Sequence, residues 1–325
     1  MAIAVSPELK TELSGIIKAF LLDIDYEFPP QLYNGEFPLR KLYLAVEHEV
    51  KLHFKNKGFS DDFIAKVEKQ LRPSIDIAIT AYHTTPFDVQ CTVAIFSAYS
   101  FIADDWAHDL EFRNDLKRFN ICLLTRQPQG NPVLQCWGEF LSSFHSIFGQ
   151  FASDMIIKDT MQFISACYAE AEGEKLHFPT EAQRFPEYFR QKVGISEAFS
   201  FLFFPLAQFS EAECRRNCLP MMPYLTSVLA WVNDILSYYK EMVEMESFNF
   251  IANSARCQGV TEMECLRKLC DESSDMIRTL HTLAKADTKL SKALEASLSG
   301  YITFHLMQAR YRLEDLDLAS ISDAT

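Results

Sequence analysis

Glycine is scarce in this 325-residue sequence, which contains only 10, and long uninterrupted apolar runs are lacking. Few turn-forming residues between long stretches of helical apolar spacing, such as 195–208, 224–246, 261–284 and 288–315, indicate an all-α protein. The most apolar stretch, roughly residues 91–103, is shorter than the ~20 residues that span a bilayer, so no membrane span is expected. The apolar content of 48% allows a large core. The sequence therefore predicts a single-domain multi-helix bundle over residues 1–325, with about 1–7 and 316–325 poorly ordered.

Paired cysteines are also lacking. Nine cysteines are scattered without a CxxC pair, and Cys214 and Cys218 have no histidine nearby at zinc-site spacing. An odd count with irregular spacing is typical of reduced thiols inside the cell. The N-terminus has no basic region followed by a long apolar run, so no signal peptide is expected. These features predict a cytoplasmic protein.

Basic residues are outnumbered, and the formal net charge is −13. Such a chain repels phosphate backbones, which makes nucleic acid an unexpected partner. If the protein binds an anion, it must do so through metal ions or through a local cluster of basic side chains.

An apolar helical stretch over residues 94–103 runs directly into Asp104 and Asp105, with His108 and Asp109 one turn further on. Adjacent carboxylates repel each other, and they are unfavourable at the negative end of a helix dipole. A solvated helix end would explain an isolated Asp pair. The alternative is that a bound cation offsets the charge.

A second anomaly is the stretch WVNDILSYYKE, residues 231–241. Asn233, Ser237 and Glu241 are spaced four apart, so they lie along one face of the predicted helix. All three offer oxygen ligands, which Mg²⁺ prefers. A solvent-exposed polar face of the helix would account for any one of these residues, but it accounts less well for all three together.

Small residues precede both Asp104 and Asn233 in their predicted helices. Ser100 and Ser97 lie one and two turns before Asp104, and Ala230 and Thr226 lie one and two turns before Asn233. Large apolar side chains would be expected if the two helices simply packed together. This pattern predicts a central apolar cavity beneath two metal-binding rims.

These residues resemble motifs of the class I terpene cyclases, closest to the trichodiene-synthase-like sesquiterpene cyclases. The segment from Asp104 to Asp109 is similar to the aspartate-rich motif of that family, and Asn233 to Glu241 is similar to its second motif, (N/D)Dxx(S/T)xx(K/R)(E/D). The two motifs are 129 residues apart, and the resemblance covers about residues 70–315. It implies the class I terpenoid synthase fold and Mg²⁺-dependent ionisation and cyclisation of farnesyl diphosphate to a sesquiterpene.

The resemblance also implies roles for individual residues. Three Mg²⁺ ions are expected, with Mn²⁺ as a substitute, and the prenyl diphosphate is the small-molecule partner. The implied catalytic residues bind diphosphate or, for Gly194, act as an effector at a helix break: Arg190, Gly194, Lys240, Arg310 and Tyr311. The implied metal-binding residues come from the two motifs: Asp104, Asp105, Asp109, Asn233, Ser237 and Glu241. The implied substrate-binding residues are aromatic side chains that can stabilise a carbocation: Phe101, Phe199, Phe203, Phe204 and Phe304.

The first motif departs from DDxxD, because His108 stands where an aspartate is usual. The resemblance implies that metal binding depends most on Asp104, while Asp105, His108 and Asp109 are open as direct ligands. Alternatives are a non-catalytic or metal-dead relative and a prenyl diphosphate elongating enzyme, although the latter normally carries a second Asp-rich motif. The sequence does not distinguish a cyclase from a hydrolase that releases an alcohol. A homodimer is common in the family.

Overall fold

Helices form nearly all the regular structure of the chain. The computed structural model describes residues 5–27, 38–172, 178–246 and 249–318, and none of them lies in a β-strand. The α-helices in these ranges are α1 (Pro7–Asp23), α2 (Pro38–Asn56), α3 (Asp61–Lys66), α4 (Glu68–Ala81), α5 (Phe87–Trp106), α6 (Leu110–Thr125), α7 (Pro132–Leu141), α8 (His145–Ala171), α9 (Phe185–Val193), α10 (Ser196–Leu202), α11 (Glu211–Glu213), α12 (Met222–Glu244), α13 (Phe250–Gln258), α14 (Glu262–Ala284) and α15 (Thr288–Met307).

The predicted helical bundle is confirmed. Within the described ranges, no helix combines the length and the apolarity needed to cross a bilayer. Some residues of the termini that were expected to be poorly ordered have defined contacts in the structure: Ser6 caps α1, and Leu316 and Leu318 are buried. Residues 1–4 and 319–325 lie outside the described residues.

Two predicted helices end earlier than the sequence suggested. The last was expected to run to residue 315, but α15 ends at Met307 because Gln308 adopts an extended conformation and donates through its side chain to Asp76 (2.7 Å). Arg310 and Tyr311 therefore lie in a 3₁₀ turn after the helix. The helix expected over 195–208 ends at Leu202, shortly before Pro205, since the residue preceding a proline avoids helical geometry.

Helix α13 was not predicted. Asn249 accepts a hydrogen bond from the Ala252 amide (3.1 Å) and so caps its start, while Gly259 ends it with φ +69. These are ordinary start and stop residues for a helix. The nine residues of this helix include few large apolar side chains, which explains why the helix was missed.

Helices α5 and α12 occupy the centre of the bundle. From Val89 to Ala103, all residues of α5 except Phe101 are buried, and so is most of α12. Helices that are buried nearly all round belong in the middle of a large helical protein. Helices α4, α8, α10 and α15 surround them.

Gly300 lets α15 approach α4 closely. A Cβ atom at this position would lie 2.1 Å from the Thr80 carbonyl oxygen and 2.9 Å from the Ala81 Cα. Both neighbours are backbone atoms, so they cannot move aside as a flexible side chain would. The packing of these two helices therefore depends on the missing side chain.

We predict that Gly300→Ala destabilises the protein by about 1–3 kcal/mol or more, the range for overpacking a core. Gly15→Ala in α1 is the matched control, because a Cβ atom there would have no neighbour within 4 Å; removing a helical glycine should be neutral or slightly stabilising. Urea denaturation of the two variants measures the difference. Equal stability would show that α4 and α15 do not pack through this contact.

Candidate active site

A cavity of about 300 Å³ opens between the central helices. The carboxyl-terminal parts of α5 and α12 form two of its walls, and both Asp104 and Asn233 line it. The two stretches singled out in the sequence therefore face one space. The remaining walls come from α4, α8, α9, α10, α13 and α15, together with the turn that holds Arg310 and Tyr311.

On the α5 wall, the two aspartates have different surroundings. Asp105 accepts a hydrogen bond from Gln70 (2.7 Å) and lies 3.4 Å from the Lys69 ammonium. Within the part of the chain that the structure describes, the Asp104 carboxylate receives only a weak S–H contact from Cys167 (3.9 Å). It is open to the cavity, where the surrounding protein limits hydration. This desolvation, followed by the charge of Asp105, raises the pKa of Asp104.

Asp109 and His108 do not line this cavity. The Asp109 carboxylate accepts a hydrogen bond from the Phe112 amide (2.9 Å) and so caps the start of α6. Its position just beyond the α5 terminus explains why the chain turns away there. Within the first motif, the structure thus brings Asp104 and Asp105 to the cavity and leaves Asp109 in a capping contact.

On the α12 wall, Asn233, Ser237 and Glu241 all line the cavity, as their spacing requires. The Ser237 hydroxyl donates to the Glu241 carboxylate. Burial, followed by the nearby Asp234 charge, raises the pKa of Glu241 to about 7. This wall therefore carries an oxygen-rich stripe whose carboxylate is short of positive neighbours.

His305 fixes the orientation of the Asn233 amide. The His305 Nδ1 lies 2.8 Å from the Tyr301 carbonyl oxygen, which can only accept, so Nδ1 carries the proton. The Nε2 atom then accepts from the Asn233 amide nitrogen (3.0 Å). Burial lowers the pKa of His305 to about 3, which keeps the ring neutral. As a result, the Asn233 Oδ1 atom points away from His305.

Arg190 connects α9 to the α12 wall. Its Nε atom donates to both Asp234 oxygens (2.7 and 2.9 Å), and its Nη2 atom donates to Asn233 Oδ1 (3.0 Å) and the Ala230 carbonyl (3.2 Å). Although burial acts against the charge, Asp234 raises the pKa of Arg190. Since Nε and Nη2 are engaged, Nη1 is the nitrogen with most freedom to meet an anion.

The other candidate donors also reach the cavity. Lys240, Arg310 and Tyr311 line it. Lys240 is paired with Glu246 and lies 3.4 Å from Glu244, while the Arg310 guanidinium lies 5.6 Å from the Tyr311 ring centre. These groups form a local basic cluster in a strongly acidic chain, as anion binding would require.

The aromatic candidates divide into two groups. Phe101, Phe199 and Phe304 line the cavity. Phe203 and Phe204 differ from the expectation: Phe203 packs on Tyr82 (4.6 Å between ring centres) and Phe204 on Phe209 (5.3 Å). The reason is that α10 ends at Leu202, so the residues after it turn into the protein core.

The predicted helix break at Gly194 is present and lines the cavity. A Cβ atom on Gly194 would lie 2.5 Å from Arg190 Nη1 and 3.1 Å from the Arg190 carbonyl oxygen. Any side chain here would therefore displace the guanidinium group. Next to it, Ile195 has the left-handed values φ +47 and ψ +25.

Several cavity residues were not predicted from the sequence. Glu170 on α8 is the most consequential, because burial and then the Asp104 charge raise its pKa to about 7. It lies in no motif, and a glutamate near the end of a long helix gives no sign of its position. The others that bear on the site are Lys69, Gln70, Phe163, Glu246, Phe250, Tyr301 and His305.

The donor set is suitable for a hard divalent cation. Both walls offer oxygen atoms, and Gln70 Oε1, beside Asp105, is buried without a hydrogen-bond partner in the described structure. Burial, followed by neighbouring carboxylates, raises the pKa values of Asp104, Glu170 and Glu241, so a cation would be stabilised there. Over the described ranges, no three His, Cys, Asp or Glu side chains already surround one point. Any metal ligands would therefore have to come from separate walls.

The sequence is similar to known fungal enzymes. It is 28% identical to an (E)-beta farnesene synthase of Metarhizium brunneum, covering 97% of this chain and 92% of that protein. It is 25% identical to alpha-cuprenene synthase COP6 of Coprinopsis cinerea, covering 96% and 92%. A trichodiene synthase of Stachybotrys chartarum is 24% identical, with 77% and 65% covered.

Solved structures confirm the fold. A linalool/nerolidol synthase from Streptomyces clavuligerus superposes with a TM-score of 0.61 at 12% identity, covering 80% of this chain and 95% of that one. Isoprene synthase from grey poplar, in complex with three Mg²⁺ ions and dimethylallyl-S-thiolodiphosphate, gives 0.59 at 14% identity, covering 83% and 55%. The family model of trichodiene synthase (TRI5) matches residues 60–323. The chain therefore belongs to the trichodiene synthase family of terpene synthases.

Proposed function

We propose that this terpene synthase ionises farnesyl diphosphate with the help of Mg²⁺, cyclises the resulting cation to a sesquiterpene and releases diphosphate. The observation that carries the proposal is the arrangement of one cavity with an oxygen-rich mouth and an apolar interior. Asp104 and the set Asn233, Ser237 and Glu241 line the mouth from two helices. A substrate with an anionic head and a hydrocarbon tail matches both parts.

The acidic walls would hold the metal. Asp104 would bind from α5, and Asn233, Ser237 and Glu241 would bind from α12, with Asn233 oriented by His305. Bound Mg²⁺ would neutralise the charge that develops on the departing diphosphate. Since Ser237 donates its hydroxyl hydrogen to Glu241 in the described structure, the lone pairs of its oxygen remain available to a metal ion.

The basic cluster would bind the diphosphate. Arg190 offers Nη1, and Lys240, Arg310 and Tyr311 offer further N–H and O–H donors from the same end of the cavity. Charge-assisted hydrogen bonds of this kind strengthen as the leaving group gains charge. Metal ions and basic side chains together would overcome the repulsion from a protein with net charge −13.

The apolar interior would guide the carbocation. Phe101, Phe199 and Phe304 present rings to the cavity. Aromatic faces stabilise a cation by about 0.5–2 kcal/mol each without acting as nucleophiles. Exclusion of water by the surrounding helices would prevent early capture of the cation.

The chain length of the substrate is supported by the relatives, which include sesquiterpene synthases named for farnesene, cuprenene and trichodiene. An elongating enzyme is disfavoured because the α12 motif offers Asn, Ser and Glu in place of a second aspartate cluster. An acyclic product is the second candidate, since the relative that shares 28% identity is named for farnesene.

Incubation of the purified protein with C10, C15 and C20 prenyl diphosphates and Mg²⁺ tests this proposal. We expect a cyclic C15 product from farnesyl diphosphate and much less turnover of the other two. Mass spectrometry of the organic extract identifies the products, and a parallel assay measures diphosphate. An acyclic hydrocarbon or alcohol would replace cyclisation with the second candidate, and a longer prenyl diphosphate formed when isopentenyl diphosphate is also supplied would overturn both.

Asp104→Ala and Glu241→Gln should each lower kcat/KM by at least about 100-fold, because each removes charge that would hold the metal against the diphosphate. Glu111→Gln, an exposed residue in the first turn of α6, is the control and should keep normal activity. Circular dichroism verifies that each variant is folded. Wild-type activity in either cavity variant would remove that residue from the metal site.

Mg²⁺ and inorganic diphosphate together should raise the melting temperature more than either does alone, because each neutralises the other's charge in the cavity. Differential scanning fluorimetry measures the shift, with EDTA as the metal-free control. The shift should be lost in Asp104→Ala. A protein that diphosphate fails to stabilise in the presence of Mg²⁺ would be a metal-dead relative.

A further inference from the structure

The helix break between α9 and α10 is held in a conformation that its own residues do not favour. Ile195 is β-branched, and such residues rarely adopt left-handed backbone angles. A conformation of this kind persists only where the surroundings enforce it. Both Gly194 and Ile195 line the cavity, so the shape of the break is part of the cavity wall.

The start of α10 depends on a residue from another helix. Its N-cap position is Ile195, whose apolar side chain cannot accept a hydrogen bond. Instead, Asp159 on α8 accepts from the Ala198 amide (2.9 Å) with its Oδ2 atom. Only 1% of Asp159 is exposed, and the burial raises its pKa to about 6. The helix is therefore capped from outside its own sequence.

The end of α9 is joined to the same part of α8. Gln162, one turn after Asp159, donates through Nε2 to Asp159 Oδ1 (3.2 Å) and to the Gln191 carbonyl (3.5 Å). Its Oε1 atom accepts from the Lys192 ammonium (2.8 Å). Asp159 and Gln162 thus contact the chain on both sides of the break.

We propose that Asp159 and Gln162 form a clasp on α8 that fixes the shape of the Gly194–Ile195 break and thereby selects the product. The inference rests on the proposed function. Neither residue lines the cavity, so both are positioning residues that act through the break and through Phe199 on α10. Loosening the clasp moves atoms beside the cation, while Arg190 stays anchored to Asp234, Asn233 and the Ala230 carbonyl on α12.

The selectivity of a carbocation reaction is sensitive to such a change. Competing cyclisation and release steps differ by small amounts of free energy, and displacements of about 1 Å near reacting groups alter rates strongly. A clasp that only stabilises the fold would change the melting temperature without changing the product ratio. The two roles are therefore separable by experiment.

The experiment compares Asp159→Ala, Asp159→Asn and Gln162→Leu with Asp154→Ala. Asp154 is the matched control, because it is an exposed carboxylate on the same helix that pairs with Gln150 and His145. We expect Asp159→Ala and Gln162→Leu to change the ratio of main product to side products by about fivefold or more, with diphosphate release within about threefold of wild type. Asp159→Asn keeps an acceptor for the Ala198 amide but loses the acceptor for Gln162 Nε2, so its product ratio should lie between those of wild type and Asp159→Ala.

Unchanged product ratios in folded Asp159→Ala and Gln162→Leu proteins would overturn the clasp. If Asp159→Ala does not fold, Gln162→Leu alone decides the matter, since it leaves the α10 cap in place. A wild-type protein that releases no diphosphate would overturn the proposed function instead. In that case, hydrogen exchange at the Ala198 amide still tests the clasp, with exchange about tenfold faster in Asp159→Ala than in Asp154→Ala expected and equal rates contradicting it.

Discussion

Carboxylates that are gathered and partly desolvated at the mouth of one cavity are the constraint on which the site depends. Asp104, Glu170 and Glu241 come from three different helices, and burial, followed by acidic neighbours, raises the pKa of each. A fold that only needed stability would place apolar side chains at these positions, since burying charge costs free energy. The bundle instead maintains an excess of negative charge that a divalent cation would relieve.

The bundle can support this excess because its stability comes from elsewhere. Helices α5 and α12 are buried over most of their length, and the α4–α15 contact at Gly300 is tight. The carboxylates of the mouth lie near the carboxyl-terminal ends of α5, α8 and α12. Positive side chains are nearby, but each pairs with one particular carboxylate: Lys69 with Asp105, and Arg190 with Asp234. The carboxylates that line the mouth are left comparatively unpaired.

The sequence predicted the helical bundle and the two motif walls because both depend on local spacing. A period of four residues places Asn233, Ser237 and Glu241 on one face whatever surrounds them. It could not place Glu170 or His305, since their position depends on how α8 and α15 pack against α12. Local spacing also could not show that α10 ends at Leu202, after which Phe203 and Phe204 point into the core. Nor could it show that Arg310 and Tyr311 follow α15 in a separate turn.

Helix register explains how one cavity combines two chemistries. An α-helix rises about 5.4 Å per turn, so residues one turn apart on the same face lie at different depths. Phe101 precedes Asp104 by about one turn on α5, Leu229 precedes Asn233 by one turn on α12, and all four line the cavity. On α8, Phe163 precedes Glu170 by two turns. Three helices thus change from apolar to polar in the same direction. This layering is repeated on three separate helices. A single substitution in one wall therefore leaves the division between the apolar interior and the acidic mouth intact on the other two.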